Sequence, residues 1–142
     1  MNPSARNTAS LIVDLMYNND PFSQLLGMER LVDGAGISVL RMKVTAQMLN
    51  GFGIAHGGIT YALADSALAF ASNGHGIQSV SIETSISHVK KVVQDDVLTT
   101  EVIEKILTSK TGLYEVIVRN QNQEPVAFFK GTVFRTGKIW EV

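Results

Sequence analysis

Asp65 is the residue whose type and position most directly suggest chemistry. It lies in the run Tyr61–Phe70, which is rich in alanine and leucine. Aspartate is rarely buried without a partner, because removing its charge from water costs several kcal/mol. Two readings are open: Asp65 caps a local group or faces solvent, or it is a reactive carboxylate in a cleft of low dielectric constant, where it acts as a base or a nucleophile.

The tripeptide His56-Gly57-Gly58 precedes this run. The first backbone N–H groups of a helix have no partner within the helix and lie at the positive end of its dipole. No bulky side chain shields these groups at Gly57 and Gly58, so an oxyanion or a phosphate would be stabilised there. His56 is either structural or part of the same site.

A long helix must position these residues. From Ile59 to Ser72 the sequence contains neither Pro nor Gly, and alanine recurs at positions 62, 64, 67, 69 and 71. Asn73-Gly74 is a stop signal, with Gly74 expected in the left-handed conformation. Apolar residues occur nearly all round the helix, which predicts that it is buried.

Two shorter helical patterns precede it within residues 1–26, the predicted N-terminal helical segment. Leu11 to Tyr17 is predicted to form a short amphipathic helix capped by Thr8 or Ser10, and a further helical turn begins at Pro21.

The rest of the sequence has β-type alternation. One strand is predicted over Leu31 to Lys43, and four follow the long helix, over Val80 to Val89, Val97 to Leu107, Leu113 to Arg119 and Val126 to Phe134. Gly112 is expected at a positive φ in the turn before the third of these four. Strands linked by hairpins form an antiparallel sheet, so residues 1–142 are predicted to form one α+β domain. A sheet edge or helix flank is expected to contact another subunit.

Composition argues against several classes of function. The net charge is −1 and no basic run occurs, so nucleic-acid binding has no electrostatic support. The sequence has no cysteine, and its three histidines are dispersed, so no metal site is expected. No apolar run is long enough to span a bilayer, which predicts a soluble, cytoplasmic protein without a membrane partner.

Asn50, His56-Gly57-Gly58 and Leu63-Ala64-Asp65 share their order and spacing with a known family. Together they resemble the hotdog-fold acyl-CoA thioesterases, in particular the phenylacetyl-CoA thioesterase branch. Later motifs extend the resemblance over about Phe22 to Arg135, namely Thr111-Gly112-x-Tyr114 and Val126-Ala127-x-Phe129-x-Gly131. The resemblance implies a hotdog fold, with an antiparallel sheet wrapped around one central helix, and hydrolysis of an acyl-CoA without a cofactor.

The resemblance also implies roles for individual residues. Asp65 would be the nucleophile or the base that activates water, the Gly57 N–H would bind the thioester oxygen, and Asn50 and His56 would orient the thioester or its water. The site would lie between two subunits of a homodimer, which pairs further into a homotetramer. Asp65 of one subunit would face Gly57 of the other.

Substrate binding is expected to involve Gly58, Ser81, Lys90 and Lys91, with the lysines near a CoA phosphate. Where the family usually has an aromatic residue, a basic residue and Pro, this sequence reads His88-Val89-Lys90-Lys91-Val92-Val93 and lacks the Pro. The alternatives on the same scaffold are a dehydratase and a non-catalytic acyl-CoA-binding protein.

Overall fold

The computed structural model describes residues 7–142 as one sheet wrapped around a long helix. Its helices are α1 (Thr8–Asn18), α2 (Pro21–Leu25) and α3 (Gly57–Asn73), with a 3₁₀ turn at Ala46–Met48. Its strands are β1 (Glu29–Gly34), β2 (Ile37–Lys43), β3 (Ile77–His88), β4 (Val97–Leu107), β5 (Thr111–Arg119) and β6 (Pro125–Ile139). The sheet order is β1-β2-β4-β5-β6-β3, with antiparallel neighbours throughout. This is the predicted hotdog arrangement, which the structure confirms.

The long helix α3 lies across the concave face of the sheet and contacts all six strands. Its core-facing side chains include several alanines, which allow the sheet to approach closely. Gly131 of β6 is a point of close approach, since a Cβ on it would lie 2.6 Å from Cδ2 of Leu68. The strands contribute large core side chains, among them Leu40, Met42, Leu98, Tyr114, Val116 and Phe129.

The end of α3 at Asn73-Gly74 was predicted correctly, but the left-handed conformation expected for Gly74 was wrong. Gly74 has φ −60°, a right-handed conformation, and the positive φ is found at Gly76 instead. A Cβ on Gly74 would lie 2.4 Å from the carbonyl oxygen of Gly34. Gly74 is therefore glycine because the β1–β2 hairpin packs directly against the helix end.

The single strand predicted over residues 31–43 is wrong, because the chain reverses within it. β1 and β2 form a hairpin whose turn contains Gly36 at φ +73°. The Gly36 N–H donates to the Ala71 carbonyl oxygen at 2.9 Å, which ties this turn to α3. The alternation along β2 was correct, with Ser38, Leu40 and Met42 facing the core.

Two further local predictions are also corrected. The cap of α1 is Asn7, whose Oδ1 accepts from Ser10 N at 2.7 Å, and not Thr8 or Ser10. Gly112 lies inside β5 and is not among the positive-φ residues. A Cβ on Gly112 would lie 2.8 Å from the ring of Tyr114, so its small size is required by packing and not by a turn.

Strand β3 forms one edge of the sheet and is paired with β6 alone in the described part of the chain. Two of its apolar side chains are largely exposed, Val80 by 55% and Ile82 by 61%. Such an edge presents unpaired backbone groups together with apolar surface. None of the helices within residues 7–142 is both long and apolar enough to cross a membrane.

Candidate active site

The predicted site residues lie along the groove between α3 and β3, which run in opposite directions. The two elements meet at three successive levels: alternation places Thr84 and His88 on the same side of β3, and the register of β3 shifts between Ser81 and Glu83. Gly57 lies against His88, Tyr61 hydrogen-bonds Thr84 through their hydroxyl groups, and Asp65 shares a cavity with Ser81.

Asp65 is half-buried near the middle of α3. Burial raises the pKa of its carboxyl group, because the charged form loses hydration. No hydrogen bond or ion pair to its side chain is formed by any other residue in the range 7–142. A carboxylate that is dehydrated and unpaired is more basic than an exposed one, as general-base or nucleophilic work requires.

Two cavities meet at Asp65. One, of about 350 Å³, lies between α3 and the N-terminal helices; the other, of about 250 Å³, lies between α3 and β3 and contains Ser81. The first has apolar walls, formed by Met16, Phe22, Ala62, Ala69 and Phe70. An acyl chain or ring suits such walls, since an apolar group gains by leaving water.

A small hydroxyl network borders the first cavity. The Ser23 hydroxyl is 2.7 Å from Oδ2 of Asp20 and 2.9 Å from the Ser66 hydroxyl. It links α2 to α3 one residue from Asp65. These contributors from α1 and α2 were not found from the sequence, since nothing in the local pattern shows which face of α3 the N-terminal helices cover.

At the start of α3, one of the first two amides is paired within the protein and the other has no acceptor in the described range. His56 is the N-cap: its Nδ1 accepts from Gly58 N at 2.9 Å and its carbonyl oxygen accepts from Ile59 N at 3.0 Å. Gly58 N–H, expected to bind substrate, is thus already paired within the protein. The Gly57 N–H has no acceptor among the described residues. An oxyanion could be bound by this N–H at the positive end of the helix dipole.

A third cavity, of about 400 Å³, opens beside Gly57. Lys90 and Lys91 line it, but their surroundings differ. Lys90 Nζ is 2.8 Å from Glu124 Oε2, and this hydrogen bond to Lys90 is the main cause that lowers the pKa of Glu124. Lys91 is exposed and forms no ion pair with any residue from 7 to 142.

Asn50 organises the loop before α3. Its Oδ1 accepts from Phe52 N at 2.9 Å and Ile54 N at 3.4 Å, and its own N–H donates to the Ile54 carbonyl oxygen at 2.8 Å. The Asn50 Nδ2 group donates to no acceptor in the described range. It is therefore the part of Asn50 that could contact a substrate or a water.

The predicted residues thus fall into two groups within one subunit. Asp65 and Ser81 share one cavity, while Gly57, Lys90 and Lys91 share another. Asp65 and Gly57 are eight residues apart on α3, which corresponds to about 12 Å along the axis. His88, at the Gly57 end, was not predicted as a site residue; its β-alternation with Thr84 and Ile86 on the inner side of β3 was the available signal.

The chain is similar in sequence to known thioesterases. The model of the thioesterase superfamily matches residues 52–127. The acyl-coenzyme A thioesterase PaaI of Escherichia coli strain K12 is 37% identical over 122 residues, which cover 86% of this chain and 87% of that protein. The human acyl-coenzyme A thioesterase 13 is 30% identical over 99 residues, covering 66% of this chain and 71% of the relative.

Solved structures of similar proteins show the same fold. The structure of the E. coli PaaI protein from the phenylacetic acid degradation operon matches with a TM-score of 0.89 at 35% identity, covering 92% of this chain and 95% of that one. The smu.793 protein of Streptococcus mutans UA159, solved bound to acetyl CoA, matches with a TM-score of 0.77 at 27% identity, covering 80% of this chain and 91% of that one.

Proposed function

This chain belongs to the thioesterase superfamily, and we propose that it hydrolyses the thioester of an acyl- or aryl-coenzyme A to the free acid and coenzyme A. The observation that carries the proposal is the half-buried carboxylate of Asp65, which has no partner among residues 7–142 and whose pKa is raised by burial. The protein supplies all the groups that the reaction needs, so no cofactor or metal is part of the proposal.

The reaction forms a bond between a water oxygen and the thioester carbon and breaks the carbon–sulfur bond. With Asp65 as base, its carboxylate takes a proton from the water as the oxygen attacks. The Gly57 N–H stabilises the negative charge on the carbonyl oxygen. The tetrahedral intermediate then expels the thiolate of coenzyme A, which takes up a proton. With Asp65 as nucleophile, a mixed anhydride forms first and water then hydrolyses it.

The two halves of the site would be joined in a homodimer. A two-fold axis near Tyr61 and Thr84 would exchange the two ends of the groove, because these residues lie midway between Gly57 and Asp65. This symmetry would bring Asp65 of one subunit toward Gly57 of the other. The exposed edge of β3 is the surface suited to this pairing, since two copies could continue the sheet antiparallel.

A homotetramer would need a second contact surface. The outer face of the sheet offers large exposed apolar side chains, Ile106 by 53%, Phe128 by 47% and Leu113 by 44%. Exposed apolar residues grouped on one face are typical of an interaction surface. Light scattering in solution would measure the assembly, and a protein that stays monomeric would contradict both the dimer and the shared site.

Lys91 is the proposed contact for a phosphate of coenzyme A, with Lys90 in a secondary role. Lys91 lines the cavity next to Gly57 and is not engaged by a carboxylate of the described residues, whereas Lys90 is bound to Glu124. Ser81, in the cavity of Asp65, is proposed to contact the attacking water or the acyl group. Asn50 and His56 are proposed to hold the loop and the helix start in place around the thioester.

Thiol release from a panel of acyl- and aryl-coenzyme A substrates tests the proposed function. Wild-type protein should release thiol, and Asp65→Asn, which keeps the shape and removes the charge, should reduce kcat by at least about a hundredfold. Asp95→Asn, at an exposed turn, is the matched control and should keep wild-type rates. Binding without release would favour the non-catalytic acyl-CoA-binding alternative.

A further inference from the structure

We propose that His88 is a further substrate-contacting residue, whose Nε2 donates a hydrogen bond to the thioester carbonyl oxygen beside the Gly57 N–H. This inference rests on the proposed function, because the oxygen concerned is the one that becomes negatively charged during hydrolysis. His88 would act as a hydrogen-bond donor only, so its proton stays on the ring and no bond to His88 forms or breaks.

The position of the imidazole ring carries the argument. A Cβ on Gly57 would lie 3.2 Å from Nε2 of His88, 3.6 Å from Cε1 and 3.8 Å from Cδ2. Nε2 is therefore the ring atom nearest to the side-chain position of Gly57. The same contact explains the glycine at position 57, since any side chain there would crowd the ring.

The ring nitrogens of His88 are available to a ligand. His56 uses Nδ1 to accept from Gly58 N, and His75 Nε2 is 2.6 Å from Glu104 Oε2. Neither nitrogen of His88 has a hydrogen bond or an ion pair with any residue in the range 7–142. The ring borders the cavity of about 400 Å³ that also contains Gly57, Thr60 and Lys91.

Backbone pairing fixes the main chain from which the His88 ring projects. His88 is the last residue of β3 and pairs with Ala127 of β6, and the next N–H, that of Val89, donates to the Val126 carbonyl oxygen at 2.9 Å. Alternation along β3 places Thr84, Ile86 and His88 on the side that faces α3. A donor whose backbone is already in place has less to reorder when charge develops on the substrate oxygen.

A second hydrogen-bond donor at the carbonyl oxygen should change kcat more than KM. The carbonyl of the ground state is a weak acceptor, while the oxyanion is a strong one, so a donor aimed at this oxygen lowers the barrier more than it improves binding. A neutral imidazole that carries its proton on Nε2 supplies such a donor, as does the protonated ring.

The kinetic test compares His88→Phe with His88→Gln. Phe keeps a flat ring without a donor, and Gln restores a side-chain N–H. We expect His88→Phe to lower kcat by at least about tenfold with KM within about twofold, and His88→Gln to recover most of the loss. A purely structural role predicts that Gln, which lacks the ring, performs no better than Phe. If wild type is active, Asp65→Asn is inactive and His88→Phe keeps kcat within about twofold, the inference is wrong while the proposed function stands.

A binding measurement on the wild-type protein does not depend on how the variants fold. A ketone analogue, with CH₂ in place of the thioester sulfur, keeps the carbonyl and cannot be hydrolysed at that position; a thioether analogue lacks the carbonyl. The ¹⁵N resonance of His88 Nε2, assigned by its loss in His88→Gln, should shift with the ketone only. The same response to both analogues, or to neither, would overturn the inference. If wild type releases no thiol from any substrate, the proposed function fails and this inference falls with it.

Discussion

Asp65 and Gly57 belong to the same helix but line different cavities of the subunit. Asp65 borders the cavities toward α1 and β3, whereas Gly57 borders the cavity next to His88 and the lysines. A carboxylate and an oxyanion donor must both lie within a few ångström of one carbonyl group to act together. Their separation along α3 therefore makes the partner subunit a requirement of the proposed mechanism.

Replacing Asp65 should stabilise the protein in a pH-dependent way. Burial raises the pKa of Asp65 in the folded state above its unfolded value, so the folded protein binds the proton more tightly. The stability linked to this group is present below the unfolded pKa and is lost as the pH rises through the folded pKa. We expect Asp65→Asn to melt at a higher temperature than wild type at pH 7, with a smaller difference near pH 3.

Thermal unfolding followed by circular dichroism at both pH values measures this effect. Asp95→Asn is the control, since the Asp95 side chain is 70% exposed. If Asp65→Asn were less stable than wild type at pH 7, the carboxylate would have a stabilising partner, and its assignment as an unpaired reactive group would be wrong.

Gly57→Pro should remove the oxyanion donor while preserving the helix. Proline is well tolerated at the first position of a helix and lacks the N–H. His56, with φ −61° and ψ 137°, already has the extended conformation preferred before proline. We expect kcat to fall by about a hundredfold or more, as for the loss of one oxyanion-hole donor.

Gly57→Ala separates the effect of the amide from that of the side chain. Alanine keeps the N–H but brings a Cβ to 3.2 Å from His88 Nε2, so some loss is expected. Gly57→Pro should remain clearly less active than Gly57→Ala. Equal kcat values for the two variants would show that crowding, and not the donor, determines the rate.

Mixing two inactive variants should restore activity if each site uses both subunits. In a dimer of one Asp65→Asn and one Gly57→Pro chain, one site carries both changes and the other is intact. Random exchange of subunits would give about a quarter of the wild-type rate, because half of the dimers are mixed and each has one working site. Activity after mixing and refolding, compared with each variant refolded alone, measures this.

The same experiment can contradict the shared site. If Asp65 and Gly57 of a single subunit acted together, every site in the mixed dimer would carry one change and no activity would return. Light scattering on the mixture verifies that mixed dimers have formed.

Gly131→Ala should destabilise the fold by roughly 1–3 kcal/mol, since overpacking forces side chains or backbone to move. The added Cβ would lie 2.6 Å from Cδ2 of Leu68 on α3. Gly51→Ala is the matched control, because a Cβ there meets nothing within 4 Å and its φ is not in the left-handed region. Urea unfolding should give a lower midpoint for Gly131→Ala and an unchanged one for Gly51→Ala.

Lys91→Ala should weaken the binding of acyl-coenzyme A more than Lys90→Ala does. Lys91 forms no ion pair with the described residues, whereas removal of Lys90 also releases Glu124. We expect KM to rise several-fold for Lys91→Ala, as for the loss of an exposed ion pair of up to about 1 kcal/mol, and the rise to shrink at high salt. A larger effect of Lys90→Ala at every salt concentration would reverse the assignment.

The sequence by itself determined the main elements and the residues worth testing. The alanine-rich run and its Asn73-Gly74 stop predicted α3, since helix propensity and end signals are local properties. Period-two alternation and turn residues predicted the strands after the helix, and these features together predicted the antiparallel α+β arrangement. The spacing from Asn50 to Asp65 identified the family for the same reason, because motif residues on one loop and one helix are neighbours in sequence.

Only the tertiary structure decided which distant residues meet. Gly74 is small because Gly34 packs against it, and Gly131 is small because Leu68 does, although both appear in the sequence only as glycines. The contact between His88 and Gly57 depends on how β3 crosses α3, and the cavity at Asp65 depends on where α1 and α2 fold back. Packing between segments far apart in sequence is not encoded in the pattern of either segment alone, and the physical reason is that each side chain responds to the volume its neighbours leave.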